Sequence, residues 1–414
     1  MKAGFINSIL IFLAGIGFES CIEPYQPDIS RYENVMVVDG EINNLPGPYE
    51  VRLTTSYAFD EDSGVNITGA QVKIIDNTGL EVLLEEIRDG IYQTVDSSFT
   101  GITGNSYKLY IELNNEIYES DFEILKNPVP IDRVYWEYEK RENEGVDGVQ
   151  LYLDTHDPAN STHYYGWEYE ETWEFEVPIN PILKPWLKTC FLHSDNYDFK
   201  IGTSIRQTGD RIDRYKLLYI NNKTNRLRWR YSILVKQYSL SELTYQFYDK
   251  LIELNESQGT LFDPVPYSLT GNVKCITNKD KPVIGNFQVS GVSEKRIFID
   301  NEELPREFQP VTGFEFRCFS QSTVVPDSLV GIPEGTSYFD VHRLPWDLTR
   351  IREDIAVDSL YYLGYAVYEI FIEQMTILPD GDTLFFLRLQ MAYPFCFDCS
   401  LTGDNKVPDF WDEE

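Results

Sequence analysis

The feature that most constrains the fold is a regular alternation of side chains over residues 164–177. One parity carries the aromatic residues Trp167, Tyr169, Trp173 and Phe175 together with Glu171, and the other carries Glu168, Glu170, Thr172, Glu174 and Glu176. Side chains two positions apart lie on the same face of an extended strand. The segment therefore predicts a β-strand with one aromatic and one acidic face. We expect the aromatic face to line a core; the alternative is a sugar-binding surface.

Residues 35–125 predict six or seven short strands separated by turn signals. Three patterns within them are Gly69-Ala70-x-Val72-x-Ile74, Gly90-x-Tyr92 and Gly104-x-x-Tyr107-x-Leu109. They resemble the transthyretin-like, carboxypeptidase-regulatory-like sandwich. That resemblance implies a structural or adhesive role without catalysis.

The predicted fold is mainly β, in agreement with an aromatic content of 14%. Pro128 and Pro130 mark the domain boundary, because closely spaced prolines interrupt a strand ladder. We expect a β-sandwich over 35–127 and a larger mixed β domain over 128–414. One amphipathic helix is predicted near 240–258, with Ser239 and Glu242 as its capping box and Gly259 after its end.

The N-terminus indicates export. An apolar run, Ile6 to Gly17, is too short to span a bilayer and fits a signal peptide over residues 1–20. Gly17-Phe18-Glu19-Ser20-Cys21 is similar to a bacterial lipobox, although Phe18 and Glu19 depart from its usual residues. We expect lipidation of Cys21 by chains such as palmitate, followed by a tether over 21–34. The alternative is an ordinary signal peptide with Cys21 in a disulfide.

The remaining cysteines predict disulfides. With Cys21 lipidated, five cysteines are left, so at least one stays free or pairs outside the chain. The candidates are Cys275, Cys318, Cys396 and Cys399, with a Cys275–Cys318 bridge and a second bridge through Cys396 or Cys399. A zinc site or a redox pair at Cys396-x-x-Cys399 is the alternative. No metal and no cofactor are predicted, and the four histidines have no metal-site spacing.

The net charge of −32 excludes nucleic acid as a partner, because such binding requires a basic surface. The sequence contains no Gly-x-Ser-x-Gly, His-Glu-x-x-His or P-loop pattern. A non-enzymatic role is therefore expected.

The C-terminal run from Cys396-Phe397-Asp398-Cys399 to Asp409-Phe410-Trp411, with segments 259–266, 271–275 and 282–287, resembles a Bacteroidota lipoprotein family labelled domain of unknown function 4249. The resemblance implies an outer-membrane or surface lipoprotein of a kind that is often encoded beside TonB-dependent receptors. We expect a binding or accessory subunit for nutrient uptake, with the outer membrane, a TonB-dependent receptor barrel and a cargo as partners. A surface polymer hydrolase and an envelope-structural protein are the alternatives.

Overall fold

The computed structural model describes residues 35–56, 64–96, 98–181, 184–195, 199–207, 209–257, 271–311, 318, 321–326, 366–377 and 383–412. The predicted signal peptide, the tether and Cys21 lie outside these ranges. The fold is mainly β with sandwich or barrel-like sheets and one α-helix in the described residues, which confirms the predicted class.

The strands in chain order are β1 (Met36–Ile42), β2 (Glu50–Thr55), β3 (Gln71–Asp76), β4 (Glu81–Arg88), β5 (Ile91–Thr94), β6 (Ser106–Leu113), β7 (Glu116–Ser120), β8 (Glu123–Ile124), β9 (Ile131–Arg141), β10 (Val146–His156), β11 (Tyr164–Glu176), β12 (Thr189–Asp195), β13 (Lys200–Thr203), β14 (Arg211–Asn221), β15 (Arg230–Ser239), β16 (Val273–Cys275), β17 (Val283–Val289), β18 (Gly291–Asp300), β19 (Gln321–Pro326), β20 (Ala366–Ile377) and β21 (Thr383–Ala392). The helix is α1 (Glu242–Ser257), and short 3-10 helices cover Pro185–Leu187, Asn301–Glu303, Pro394–Cys396 and Cys399–Leu401.

The first module is a ten-stranded sheet with the order β16-β7-β6-β3-β4-β5-β2-β1-β17, in which β8 also pairs with β6. The pair of β1 and β17 is parallel, whereas β1 and β2 are antiparallel. The two end strands of the sheet contact each other, because the side chain of Asn272 next to β16 donates to Phe287 O (2.8 Å) and accepts from Phe287 N (2.8 Å) on β17. The predicted division at residues 127 and 128 omits these two strands, which return from downstream to complete the first module.

The second module packs the sheet β14-β10-β9 against the sheet β12-β11-β15-β18, with β13 added beside β11. Trp167, Tyr169 and Trp173 of β11 are buried between the two sheets, which confirms that the aromatic face lines a core. The sugar-binding alternative for that face is therefore wrong. Glu171 shares this parity and is 4% exposed. Its carboxylate is paired there with Arg226 Nη1 at 2.9 Å.

Two disulfides attach the C-terminal segment to the rest of the chain. They join Cys190 to Cys399 and Cys318 to Cys396, each with a Cα–Cα distance of 5.6 Å. The predicted Cys275–Cys318 bridge is wrong: Cys275 is a buried free thiol in the core of the first module. Cys396 and Cys399 both form disulfides. Cys190, which was not among the predicted candidates, is the partner of Cys399. A fourth sheet, β19-β21-β20, lies between residues 321 and 392.

Helix α1 begins later than the sequence predicts. Ser239 belongs to β15, and the cap is Ser241, whose Oγ accepts from Thr244 N at 3.1 Å. Leu243 is 57% exposed, whereas Thr244 is buried, so Thr244 rather than Leu243 lies on the packed face in the first turn of the helix. Gly259 lies outside the described residues. The helix packs against β11, β13 and β17 and thus contacts both modules.

The two modules share a direct connection. Only Ser290 separates β17 of the first module from β18 of the second, so one extended stretch of chain runs through both. Lys126 Nζ donates to Leu240 O at 2.8 Å, and Asn44 Nδ2 donates to Val292 O at 3.1 Å. These contacts fix the modules against each other and position the surfaces that face across their junction.

Candidate functional site

The candidate site begins with the outer face of β1 and β17. Their parallel register places Asp39 beside Asn286 and Glu41 beside Gln288. Side chains alternate along each strand, so the intervening apolar residues fill the core of the first module while these four polar residues face outward. That outward face is directed towards the second module and α1.

Glu41 is held by two amides. Its carboxylate accepts from Asn43 Nδ2 at 3.1 Å and from Gln288 Nε2 at 3.3 Å. The pKa of Glu41 is raised to about 7, first by burial and then by the negative charges of Glu168 and Asp39, against the opposing effects of Lys236 and of the Asn43 hydrogen bond. A carboxyl group with such a pKa changes its charge near neutrality.

The second module contributes the opposite wall. Glu168 of β11 accepts from Tyr238 Oη of β15 at 2.8 Å. Burial raises the pKa of Glu168, with smaller opposing effects from that hydrogen bond and from Lys236. Lys236 itself donates to Glu170 Oε1 at 2.5 Å, so its ammonium group is engaged at the edge of the wall.

These groups meet where the two modules and α1 adjoin. Desolvation by the surrounding protein raises the pKa of Asp39 in spite of the nearby Arg52. The negative charges of Glu168 on the second module and of Asp39 on the first both raise the pKa of Glu41. We call this junction the interface cleft, and we assign to it Asp39, Glu41, Glu168, Phe199, Tyr238, Tyr248, Asn286 and Gln288.

Aromatic rings form one side of the interface cleft. The ring centroid of Phe199 lies 4.4 Å from that of Tyr248 on α1 and 5.6 Å from that of Tyr238 on β15. The pKa of Tyr248 is raised by burial and then by the charges of Asp39, Glu41 and Glu168. This electrostatic coupling places the aromatic rings and the carboxylates in one site.

Two buried amide oxygens in the interface cleft have no hydrogen-bond partner in the described part of the chain. They are Oδ1 of Asn286, which is 4% exposed, and Oε1 of Gln288, which is 2% exposed. The amide nitrogens are occupied: Asn286 Nδ2 donates to Thr244 Oγ1 at 3.3 Å, and Gln288 Nε2 donates to Glu41 and Ser290. Buried polar atoms are rarely left unpaired, so both oxygens indicate an absent donor.

A polar network below the interface cleft holds α1 in place. Glu123 accepts from Thr244 Oγ1 at 3.4 Å and from Asn272 Nδ2 at 3.1 Å. Burial raises the pKa of Glu123. Thr244 thereby joins the helix to β8 through Glu123 and to β17 through Asn286, which holds α1 against the first module.

The sequence-predicted site residues lie elsewhere. Cys21 is outside the described residues, and Cys396 and Cys399 are each bonded to another cysteine, so the predicted zinc and redox alternatives are wrong. His156 contacts Asp132 at 2.7 Å, and His193 contacts Thr172 at 2.9 Å. Across the residues with determined positions, no three His, Cys, Asp or Glu side chains form a group that could hold a metal ion.

A Ser, a His and an Asp do meet in the second module. Asp210 accepts from Ser204 Oγ and lies 3.3 Å from His163 Nδ1. The carboxylate is therefore the central group, whereas nucleophile activation requires the imidazole to stand between serine and carboxylate. This arrangement stabilises a loop and does not form a catalytic triad.

The fold and the interface cleft define a class: a two-module β protein with an acidic and aromatic cleft at the module junction. Within the residues described, no helix has the length and apolar character needed to cross a membrane. The chain belongs to the family described as domain of unknown function (DUF4249), whose sequence profile matches residues 22–296. A search of curated proteins finds no match.

Proposed function

We propose that the protein is a non-catalytic binding lipoprotein, anchored in the outer membrane through Cys21, that serves as an accessory subunit of a TonB-dependent uptake system. The observation that carries the binding role is the interface cleft, where two buried amide oxygens without partners belong to Asn286 and Gln288, the neighbours of Asp39 and Glu41. Ligand sites commonly occur at domain junctions and combine apolar walls with a few convergent polar groups.

Two features support the location. The lipobox-like sequence before Cys21 would restrict the protein to a membrane surface, which raises its effective concentration near a receptor. The Cys190–Cys399 and Cys318–Cys396 disulfides agree with an exported chain, because such bonds persist in oxidising compartments.

One observation favours a second candidate, a surface polymer hydrolase. Glu41 has a pKa of about 7 beside two further carboxylates, and a carboxylic acid with a raised pKa can act as a general acid. Glu41→Gln separates the two functions, since it would abolish turnover by a hydrolase but would only weaken a ligand complex. A turnover assay on surface polysaccharides with wild type and Glu41→Gln makes the comparison.

The experiment for the proposed function is a crosslinking pull-down of the tagged full-length protein from native membranes, with Cys21→Ala as the control. We expect the wild type to recover a TonB-dependent barrel and the control to lose it together with membrane association. Recovery of soluble enzymes alone, or of no partner, by the acylated wild type would overturn the accessory role.

A further inference from the structure

We infer that the interface cleft binds an alkylammonium group, presented either by a small polyamine or by a lysine side chain of a peptide. This inference rests on the proposed binding function and names its ligand class. It follows from the excess of hydrogen-bond acceptors in the cleft, from its aromatic side and from the charge around it.

The polar groups of the interface cleft are mostly acceptors. The carboxylates of Asp39, Glu41 and Glu168 are joined by the unpartnered Oδ1 of Asn286 and Oε1 of Gln288. An ionised carboxylate and an amide oxygen only accept hydrogen bonds. Of the donors nearby, the Tyr238 hydroxyl bonds Glu168, and one N–H of the Lys236 ammonium bonds Glu170. The missing partner must therefore bring several N–H or O–H donors.

The aromatic side favours a positively charged donor. Phe199, Tyr238 and Tyr248 pack with centroid separations of 4.4 and 5.6 Å. Aromatic ring faces attract ammonium groups, most strongly where water is displaced. The rings also provide an apolar surface for the methylene groups that separate the charges of a polyamine or that form a lysine stem.

Charge selects an extended organic cation over a compact ion. The chain carries a net charge of −32, which concentrates cations around the molecule. Among the residues that the structure describes, the acidic side chains do not converge into a group suited to a metal ion. A ligand whose ammonium groups are spaced along a chain can reach the separate acceptors individually.

The acidic floor predicts that binding depends on pH. The groups that face Glu41 are Asp39 on its own strand, Glu168 on β11, Lys236 and Tyr238 on β15, and Tyr248 on α1. Deprotonation of Glu41 adds a negative charge to the site, while an aliphatic amine remains cationic to about pH 10. Affinity should therefore rise as the solution passes from mildly acidic to mildly alkaline.

Isothermal titration calorimetry of the soluble full-length Cys21→Ala protein tests the inference. The probes are spermidine, the peptide trilysine and the neutral sugar maltotriose, each at about 0.15 M salt so that exposed charges are screened. The variants are Glu41→Gln and Tyr248→Leu in the interface cleft, and Glu85→Gln, an exposed acidic residue of β4, is the matched control.

We expect one saturable site for spermidine or trilysine, and the better probe identifies the source of the ammonium group. Glu41→Gln and Tyr248→Leu should each weaken binding about tenfold or more at about pH 8, Glu85→Gln should leave it unchanged, and acidification to about pH 5.5 should weaken the wild type. Circular dichroism of each variant confirms folding.

Equal binding by wild type and both cleft variants would overturn the inference, because it would show only diffuse attraction to an acidic surface. Absence of binding by both cations would overturn it as well. A third outcome is that maltotriose binds to the wild type but not to Tyr248→Leu, while neither cation binds. The alkylammonium inference then fails, but the proposed binding function stands. If the pull-down recovers no receptor barrel but the cations still bind at the interface cleft, only the proposed accessory role is refuted.

Discussion

Replacing Glu41 by glutamine should change how the stability of the protein depends on pH. The pKa of Glu41 is raised from its ordinary 4.5 to about 7, first by burial and then by the charges of Glu168 and Asp39. Between these two values the folded protein holds a proton that the unfolded chain releases, so the free energy of unfolding falls as the pH rises through this window. Glutamine cannot ionise and removes this effect.

The magnitude follows from the size of the shift. At about 1.4 kcal/mol per pKa unit, a shift of about 2.5 units makes the wild type lose at most about 3 kcal/mol between pH 4.5 and pH 8 relative to Glu41→Gln. Glutamine keeps the shape of the protonated side chain, and Asn43 and Gln288 remain beside it. A constant offset between the proteins cancels, because only the difference between two pH values is compared.

The assay is urea unfolding followed by tryptophan fluorescence at about pH 5 and about pH 8, with the disulfides intact. Glu85→Gln on the exposed face of β4 is the control and should keep the pH dependence of the wild type. If Glu41→Gln and the wild type lose the same free energy between the two pH values, Glu41 is not desolvated, and the buried environment assigned to it at the module junction is wrong.

Three further changes test the packing. Gly285→Ala should prevent folding of the first module, because its φ is +139° and an added Cβ would meet Val38 O at 2.0 Å; Gly79→Ala, with open space around it, should cost only about 1 kcal/mol by thermal unfolding. Arg226→Ala should lower the free energy of unfolding by about 3 kcal/mol or more, because it leaves the Glu171 carboxylate buried with only a tyrosine hydroxyl; a loss below about 1 kcal/mol would contradict the pairing. Reduction of both disulfides should destabilise the protein by several kcal/mol, since they close loops of 209 and 78 residues, and an unchanged melting temperature in reductant would contradict this.

Local patterns in the sequence predicted local structure well. The alternation over residues 164–177 predicted both the strand and its buried face, because two-residue periodicity depends only on strand geometry. It did not predict that Glu171 would be buried with Arg226, a residue 55 positions away. The helix was also predicted, but its start was placed too early, because the predicted cap Ser239 is the last residue of β15 and Leu240 lies in the connection before the helix.

Long-range relations could not be predicted from the sequence. Nothing in the sequence of Val283–Val289 shows that its partner strand is Met36–Ile42, more than 240 residues earlier. The interface cleft depends on that pairing. In the sequence, Asp39 and Glu41 alternate with less polar residues and therefore resemble the solvated face of an edge strand; their proximity to the second module and α1 follows only from the tertiary fold.

Pairing between strands that lie far apart in the sequence also explains the wrong prediction at Cys275. A cysteine in an exported chain is a reasonable disulfide candidate, but β16 inserts Cys275 into the core of the first module. Cys318 is then available to Cys396, and Cys190 on β12 to Cys399. The sequence spacing of cysteines does not report which sheet each strand joins.

Site-specific photocrosslinking in native cells tests most directly whether the interface cleft is where this protein meets its ligand. A benzophenone amino acid would replace Tyr248, with the same substitution at Phe122, an exposed aromatic residue of the first module, as the control. We expect the variant with the crosslinker at position 248 to give a crosslinked species that is absent with the crosslinker at position 122. Glu41→Gln should reduce the yield of this species. Equal capture at both positions, or capture at 122 alone, would contradict the assignment of the interface cleft as the binding site.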